Sequence, residues 1–206
     1  MTEWYSQAGQ DRWVIAMRAP KVTPGFFVDL GAYDGVQTSN TKALAERGWR
    51  GICVEANEEY WNKLVEARSK DSHCLHAAVS GDQGGVVHWS GQTETSDATA
   101  PETPRYSLSY ILDLCAAPPV IDYMSMDIEG MELEVLAAYD FSRQINLMTV
   151  EHNLYCDGPA KKDAIHTLLT ARGFFRVVED APCLDPAYWN LPYEDWWAAK
   201  SFLDAQ

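Results

Sequence analysis

The stretch Val28-Asp29-Leu30-Gly31-Ala32-Tyr33-Asp34-Gly35 decides the fold. It continues an apolar run that starts at Phe26, and a short run rich in β-formers predicts a buried strand. Gly31 and Gly35 allow the chain to turn tightly and to approach a ligand closely. A helical pattern follows over 37–47, and the free N–H groups at its start can meet a carboxylate. The stretch therefore predicts a strand, a ligand-binding turn and a helix.

The same alternation recurs along the chain. Further strands are predicted at 51–55, 73–79, 86–89, 121–127, 146–150 and 174–178, and helices at 58–68 (with Asn57 as its cap), 107–115, 131–138 and 161–171. Strands that alternate with helices predict an α/β fold with a mostly parallel central sheet and helices on both faces. We expect a single domain over 1–206, since this length suits one domain.

Three segments lie outside this pattern. We expect 1–24 to form an N-terminal arm. Residues 92–104 are rich in Thr, Pro, Ala and acids, and they predict a mobile loop, either a solvated connector or a substrate lid. The C-terminal tail, 181–206, is dense in aromatic residues. These side chains can stack on sugar rings, or a C-terminal helix can pack its Trp side chains onto the core or onto a dimer partner.

Composition excludes several classes of function. The net charge is −14, from 30 acidic and 16 basic residues, which disfavours nucleic acid and anionic lipid as partners. The five cysteines form no C-x-x-C pair, which argues against a zinc site and a disulfide framework and fits a reducing compartment. There is neither a signal-peptide pattern nor an apolar run long enough to span a membrane. We expect a soluble cytoplasmic protein.

Glu55 strengthens the interpretation of the glycine turn. Ligands of open α/β sheets bind at the carboxyl ends of the strands, and Glu55 ends the second predicted strand. A carboxylate there can accept both hydroxyls of a ribose, so the pair of features predicts a nucleoside cofactor. Tyr33 replaces the second glycine of a G-x-G-x-x-G pattern, which disfavours NAD. The alternative is a plain strand–helix turn with an ordinary surface Glu55.

Acidic residues also end two later strands. Asp127 is the first of three acids in a strand-to-helix turn, of which Glu132 can simply favour the helix start. At the next strand end, His152 beside Glu151 is a candidate general base. Alternatively, Asp127, Glu151 and Asn153 can hold a divalent cation such as Mg²⁺ or Mn²⁺ through oxygen ligands. The plainer readings are a capping role for the acids and a packing role for the histidine.

Taken in order, these motifs resemble the FkbM-type methyltransferase family. The matching pieces are residues 6–11, 27–35, 39–41, 48–57, 77–80, 126–132 and 151–153, and the resemblance spans about 5–180. It implies a Rossmann-like class I methyltransferase fold and transfer of a methyl group from S-adenosylmethionine, usually to oxygen. Sugar hydroxyls of glycans, glycolipids or glycosylated small molecules are common acceptors in such enzymes.

The resemblance also implies a donor site. Asp29, Gly31 and Gly35 would line the methionine end, Glu55 would hold the ribose, and Asp127 would lie near the sulfonium. The residues expected to bind the cofactor are Asp29, Gly31, Ala32, Tyr33, Gly35, Ser39, Asn40, Glu55, Ala56, Ala78, Val79 and Asp127. The tips at Asp127 and Glu151 also resemble the metal-binding tips of catechol O-methyltransferase, from which Glu-His-Asn at the second tip departs.

The mechanism expected from the sequence is an in-line displacement. His152 removes the proton of an acceptor hydroxyl, and Asp127 and Glu151 orient that hydroxyl directly or through a cation. Three alternatives stay open: an N-methyltransferase, a nicotinamide oxidoreductase and a non-catalytic nucleoside- or sugar-binding module. The acceptor is expected to be a small molecule or glycan, neutral or cationic. The oligomeric state is open, with a homodimer as one option.

Overall fold

The computed structural model describes residues 3–19, 23–90, 93–183 and 191–205. The helices are α1 Gln10–Arg18, α2 Lys42–Ala45, α3 Glu58–Arg68, α4 Leu108–Leu114, α5 Glu132–Ala138, α6 Leu154–Asp157, α7 Pro159–Ala171 and α8 Lys200–Leu203. The strands are β1 Phe26–Leu30, β2 Arg50–Glu55, β3 Ser72–His76, β4 Ala78–Ser80, β5 Val86–Ser90, β6 Thr93–Thr95, β7 Glu102–Ser107, β8 Val120–Met126, β9 Gln144–Glu151, β10 Phe174–Pro182 and β11 Pro192–Ala199.

Seven strands form the central sheet, in the order β3-β2-β1-β8-β9-β11-β10. Neighbouring strands from β3 to β9 are parallel, whereas β11 runs antiparallel to both β9 and β10. This confirms the predicted α/β fold with a mostly parallel sheet. The chain reverses direction along the sheet between β1 and β8, which is where open α/β sheets bind their ligands.

Strand register brings the predicted site residues to one edge of the sheet. Leu30 pairs with Val54 on β2 and with Met126 on β8, and Met126 pairs in turn with Val150 on β9. The residues that follow these positions are Gly31, Glu55, Asp127 and Glu151. Four strand ends therefore lie level and side by side, as parallel pairing of the buried runs requires.

The predicted helix over 37–47 is shorter than expected, because only α2 is helical. Asp34 Oδ1 accepts hydrogen bonds from the backbone N–H groups of Val36 and Gln37, at 2.9 and 2.8 Å. Thr38 has φ 53°, and Ser39 Oγ accepts from Lys42 N at 3.1 Å. These short polar side chains offer the backbone partners other than helical carbonyls. The segment before α2 is consequently a series of turns.

The predicted strand over 73–79 is wrong in one respect, since it divides at Ala77 into β3 and β4. Ala77 N donates to Glu55 O at 3.1 Å, and β4 then leaves the central sheet for a second one of order β4-β7-β5-β6. This second sheet includes two parts of the predicted 92–104 loop. Strands occupy 93–95 and 102–107, so the connector between them spans 96–101.

Both ends of the chain are more regular than predicted. The arm contains α1, and the tail forms β11, which carries the tail's described Trp side chains, followed by the short helix α8. Trp197 is fully buried in β11, and Trp196 packs against Trp13 of α1 with 5.1 Å between ring centroids. The Trp side chains described thus serve the core, although Tyr188, Trp189 and Asn190 lie outside the described residues.

Within the described ranges, no helix is long and apolar enough to cross a membrane.

Candidate active site

A cavity of about 520 Å³ opens at the carboxyl edge of the sheet. It lies between the tips of β1, β2, β8 and β9, the second sheet and β11. The sequence-predicted residues that line it are Asp29, Gly31, Ala32, Tyr33, Ser39, Asn40, Glu55, Ala56, Ala78, Val79, Asp127 and Glu151. Three predicted site residues, Gly35, His152 and Asn153, do not line it.

Gly31 allows β1 and β8 to end in direct contact. Its φ is +82°, and a Cβ added there would lie 1.7 Å from Asp127 O. The N–H groups of Gly31 and Ala32 both donate to Val54 O at 3.0 Å, which fixes the turn. No residue other than glycine fits this close approach.

Gly35 has a different role from the one predicted. It has φ +76°, and a Cβ there would meet Leu64 and Arg68 of α3 at 2.6 and 2.7 Å. Its carbonyl accepts from the fully buried Arg68 guanidinium at 3.2 Å. Gly35 therefore packs the turn onto α3, on the side away from the cavity.

Arg68, which no sequence pattern singled out, holds the loop before α2. Besides Gly35 O, it donates to Thr41 Oγ1 at 3.2 Å, and Thr41 Oγ1 donates to Asp29 Oδ2 at 2.6 Å. Burial raises the pKa of Asp29 to about 6, although Thr41 and Arg68 oppose that shift. A lone arginine in a helical pattern gives no signal of this role, because its partners in that loop lie more than 25 residues away.

Asn40 presents an unused acceptor. Its Nδ2 donates to Ser125 Oγ at 2.8 Å, whereas its Oδ1 is buried without a hydrogen-bond partner in the part of the chain described. Since buried polar atoms are normally paired, an unpaired acceptor lining a cavity fits a donor group on a ligand.

Glu55 is fixed by backbone donors. Its two carboxylate oxygens accept from Tyr33 N at 2.9 Å and from Asn57 N at 2.8 Å. Burial raises its pKa to about 7 despite these bonds. Each oxygen keeps a lone pair for a ligand. Beside it, Ala56, Ala78 and Val87 form a small apolar cluster with Trp89. Val87 and Trp89 come from the second sheet, and their place here was not predicted.

Asp127 and Glu151 form a carboxyl pair at the tips of β8 and β9. The two side chains are hydrogen-bonded to each other, and burial raises the pKa of both, that of Glu151 well above its usual range. Tyr193 of β11, also missed by the sequence analysis, donates its hydroxyl to Asp127 Oδ2. Asn153 Nδ2 donates to Glu151 Oε2 at 2.8 Å. Like charges this close cannot both ionise easily, so the pair retains one proton.

His152 points away from this pair. Its ring is 1% exposed, and its Nε2 lies 3.4 Å from Asp180 Oδ1 and 3.5 Å from Asp195 Oδ1. Leu154 N donates to its Nδ1 at 3.2 Å. Successive residues at a strand end face opposite sides, and Glu151 takes the side of the cavity. The prediction that His152 is the general base therefore conflicts with its position.

The predicted metal ligands do not converge as a set. Asn153 turns its amide nitrogen, and not its oxygen, towards Glu151. Among the described residues, the one His/Cys/Asp/Glu group compact enough to hold an ion is His152, Asp180 and Asp195, outside the cavity. Lys162 Nζ already binds Asp180 Oδ1 there, at 2.7 Å.

A family model described as "Methyltransferase FkbM domain" matches residues 29–175. The chain belongs to the FkbM methyltransferase family. The match covers the glycine turn, the acidic strand tips and the second sheet, and it ends within β10. In this FkbM-family protein, Tyr193 lies beyond the matched range, on β11. No curated protein sequence matches the chain.

Solved methyltransferase structures share the fold at low sequence identity. A putative O-methyltransferase from Klebsiella pneumoniae is 9% identical over 93% of this chain and 80% of that one, with a TM-score of 0.53. A putative RNA methyltransferase from Pyrococcus horikoshii is 13% identical over 93% and 82%, with a TM-score of 0.51. A precorrin-6y C5,15-methyltransferase from Geobacter metallireducens is 12% identical over 91% and 86%, with a TM-score of 0.51. These likenesses establish the class I methyltransferase fold.

Proposed function

We propose that this protein transfers a methyl group from S-adenosylmethionine to a hydroxyl of a small molecule or glycan, with a sugar as the favoured acceptor. The observation that carries the proposal is the Asp127–Glu151 carboxyl pair, which lies at the wall of the same cavity as the glycine turn and Glu55. A proton acceptor beside a nucleoside site is what hydroxyl methylation needs.

The residues of the cavity fit the donor. The unpaired Asn40 Oδ1 suits the ammonium of the methionine portion, and Glu55 suits the two ribose hydroxyls. Ala78, Val79 and Val87 give the cavity an apolar lining, which suits adenine. When bound, S-adenosylmethionine supplies an electrophilic methyl carbon to an acceptor oxygen aligned with it.

Asp127 is the proposed base. Protonated Glu151 and the Tyr193 hydroxyl both donate to it, so the pair's single negative charge resides mainly on Asp127. Its raised pKa makes it a better proton acceptor than an exposed aspartate. Taking the acceptor's proton also neutralises a buried charge, which favours the step in a desolvated site. His152 has no part in this transfer.

Binding experiments test the donor and the base without a known acceptor. We expect calorimetry to show binding of S-adenosylmethionine and not of NAD. Sinefungin carries an amine in place of the methylsulfonium, so it should bind more tightly than S-adenosylhomocysteine to the wild type. Asp127→Asn should remove that preference and keep the affinity for S-adenosylhomocysteine. Binding of NAD alone would contradict the family-based donor, and an unchanged preference would contradict Asp127 as the base.

An amine acceptor is the second candidate. Glu129 adds a third carboxyl group to the acceptor side of the cavity, and burial raises its pKa to about 7. Its φ of 55° is strained for a non-glycine residue, as often occurs at functional sites. Turnover of a neutral glycoside but not of its amino analogue supports a hydroxyl acceptor, and the reverse supports an amine. Full activity in EDTA would exclude a divalent cation.

A further inference from the structure

The polar cluster behind the carboxyl pair fixes the tautomer of His152. Leu154 N–H donates to Nδ1, so Nδ1 carries a lone pair and not a proton. In the neutral ring the proton then resides on Nε2, which faces Asp180 Oδ1 and Asp195 Oδ1 at 3.4 and 3.5 Å. These contacts are electrostatic, since Nε2 has no hydrogen-bond partner among the described residues. The surroundings therefore select one tautomer.

The two aspartates that face Nε2 are themselves held in place. Lys162 of α7 binds Asp180 at 2.7 Å and Glu179 at 3.0 Å. Arg176 of β10 binds Asp195 Oδ2 at 3.0 Å and Glu179 at 2.9 Å. Asp195 Oδ1 also accepts from Asp180 N at 2.8 Å. The ring thus lies against a network that joins α7, β10 and β11.

This arrangement argues against a metal site at the same three residues. A metal-bound histidine normally donates its other ring N–H to an acceptor. Here the other nitrogen, Nδ1, accepts a hydrogen bond from Leu154 N–H. If a metal bound Nε2, the proton of the neutral ring would move to Nδ1, and two N–H groups would then face each other. Only a ring that had lost this proton as well would keep the bond from Leu154. Lys162 also occupies the approach to Asp180.

The same ring anchors the chain that carries the carboxyl pair. Glu151 ends β9 immediately before His152, and His152 N donates to Tyr193 O at 3.3 Å. After the ring, Asn153 turns with φ 50° and returns its amide to Glu151. The first turn of α6, which His152 Nδ1 caps through Leu154, then places Tyr155 at the cavity.

We propose that His152 is a positioning residue, which in its neutral Nε2–H form holds residues 151–155 against β10 and β11 so that Glu151 stays hydrogen-bonded to Asp127. The inference rests on the proposed function only for the catalytic use of that pair. Without the ring, Glu151 can move away from Asp127, and the two carboxyl groups then titrate independently.

Nuclear magnetic resonance tests the tautomer directly. Two-bond ¹⁵N–¹H correlations of the five histidines, with His152→Gln assigning the signal, should show a protonated Nε2 and a bare Nδ1. A proton on Nδ1, or a shift of this signal on adding Zn²⁺, would overturn the inference. This readout does not depend on whether the protein binds S-adenosylmethionine.

Variants test the positioning role. His152→Ala should reduce the preference for sinefungin over S-adenosylhomocysteine about tenfold and move its pH midpoint higher, because Asp127 loses the hydrogen bond from Glu151 that lowers its pKa. Affinity for S-adenosylhomocysteine itself should stay within about twofold, since Asn40 and Glu55 are untouched. His152→Gln keeps a donor near Nε2 and should restore both properties, whereas His166→Gln, on α7, should change neither.

The outcomes separate clearly. An unchanged preference and pH midpoint in folded His152→Ala would mean a purely structural role and overturn the inference. If His152→Ala does not fold, failure of the folded His152→Gln to match the wild type overturns it instead. If the wild type did not bind S-adenosylmethionine, the proposed function would be overturned, whereas the result on the His152 tautomer would still hold.

Discussion

A single residue, Tyr193, stabilises the negative charge on Asp127. Its hydroxyl donates to Asp127 Oδ2, and this bond lowers the pKa of a carboxyl group that burial has raised. A hydrogen bond to a charged group contributes about 1.5–3 kcal/mol, and about 1.4 kcal/mol corresponds to one pH unit. Tyr193→Phe should therefore raise the pH midpoint of sinefungin binding by about one unit.

The control for this variant is Tyr106→Phe, since Tyr106 packs on Tyr110 away from the cavity, with 4.9 Å between ring centroids. Its midpoint should equal that of the wild type. A Tyr193→Phe midpoint that stays in place or falls would show that the hydroxyl does not stabilise ionised Asp127.

Glu55 should make the binding of S-adenosylmethionine depend on pH. Ribose hydroxyls donate to it, so the ionised carboxylate binds better than the acid. Because burial raises its pKa to about 7, affinity for S-adenosylmethionine should fall as the pH is lowered below about 7. Glu55→Gln should weaken binding about 10- to 100-fold, equivalent to 1.5–3 kcal/mol, and flatten the pH dependence. Calorimetry from about pH 5.5 to about pH 8.5, on both sides of this pKa, measures the profile. If Glu55→Gln kept the wild-type pH profile, the assignment of Glu55 to the ribose would be contradicted.

At the scale of elements, the meeting of β1 with β8 depends on Gly31. An alanine there combines φ +82° with a Cβ 1.7 Å from Asp127 O, so the two strand ends must separate. We expect Gly31→Ala to lower the free energy of unfolding by about 3 kcal/mol or more and to abolish donor binding.

Gly84→Ala is the matched control. Gly84 has a similar φ of +97°, but nothing lies within 4 Å of its added Cβ. Its variant should lose only about 1–2 kcal/mol, the cost of the backbone conformation alone. Equal losses in urea denaturation would show that the contact between β1 and β8 contributes nothing.

The elements that the sequence predicted well are those whose signal is local. The tips after β1, β2, β8 and β9 were located because buried parallel strands read as continuous apolar runs that end in polar residues. The direction of a side chain past a strand end is not local. Glu151 and His152 are adjacent in the chain, and which of them enters the cavity depends on pairing with β11, where Glu151 pairs with Glu194.

Two other differences between the predicted and the observed elements also arise from contacts that are not local in the sequence pattern. The division at Ala77 depends on a hydrogen bond to Glu55 and on pairing of β4 with β7. The short α2 depends on Asp34 and Ser39 side chains that outcompete helical hydrogen bonds. Periodicity reports burial on a face, and it carries no information about these specific polar contacts.

For the molecule as a whole, buried carboxyl groups reverse the usual effect of pH on stability. Burial raises the pKa of Asp29 to about 6, of Glu55 to about 7 and of Glu194 to about 8. A folded state that retains protons which the unfolded chain has released loses stability as the pH rises through that window. The contribution of these groups to the stability of the unliganded protein should therefore be complete below about pH 4 and be lost between about pH 4 and about pH 8.

The size of the effect follows from the shifts. Glu55 alone, with a pKa of about 7 in place of 4.5, corresponds to roughly 3 kcal/mol. That loss should lower the melting temperature by about 6–12 °C in a chain of this length. Saturating S-adenosylmethionine should reduce the slope, because its positive charge and ribose hydroxyls stabilise the ionised carboxylates. Glu55→Gln should show a flatter unliganded profile, and a wild-type melting temperature that rises between pH 5 and 8 would contradict the buried-acid account.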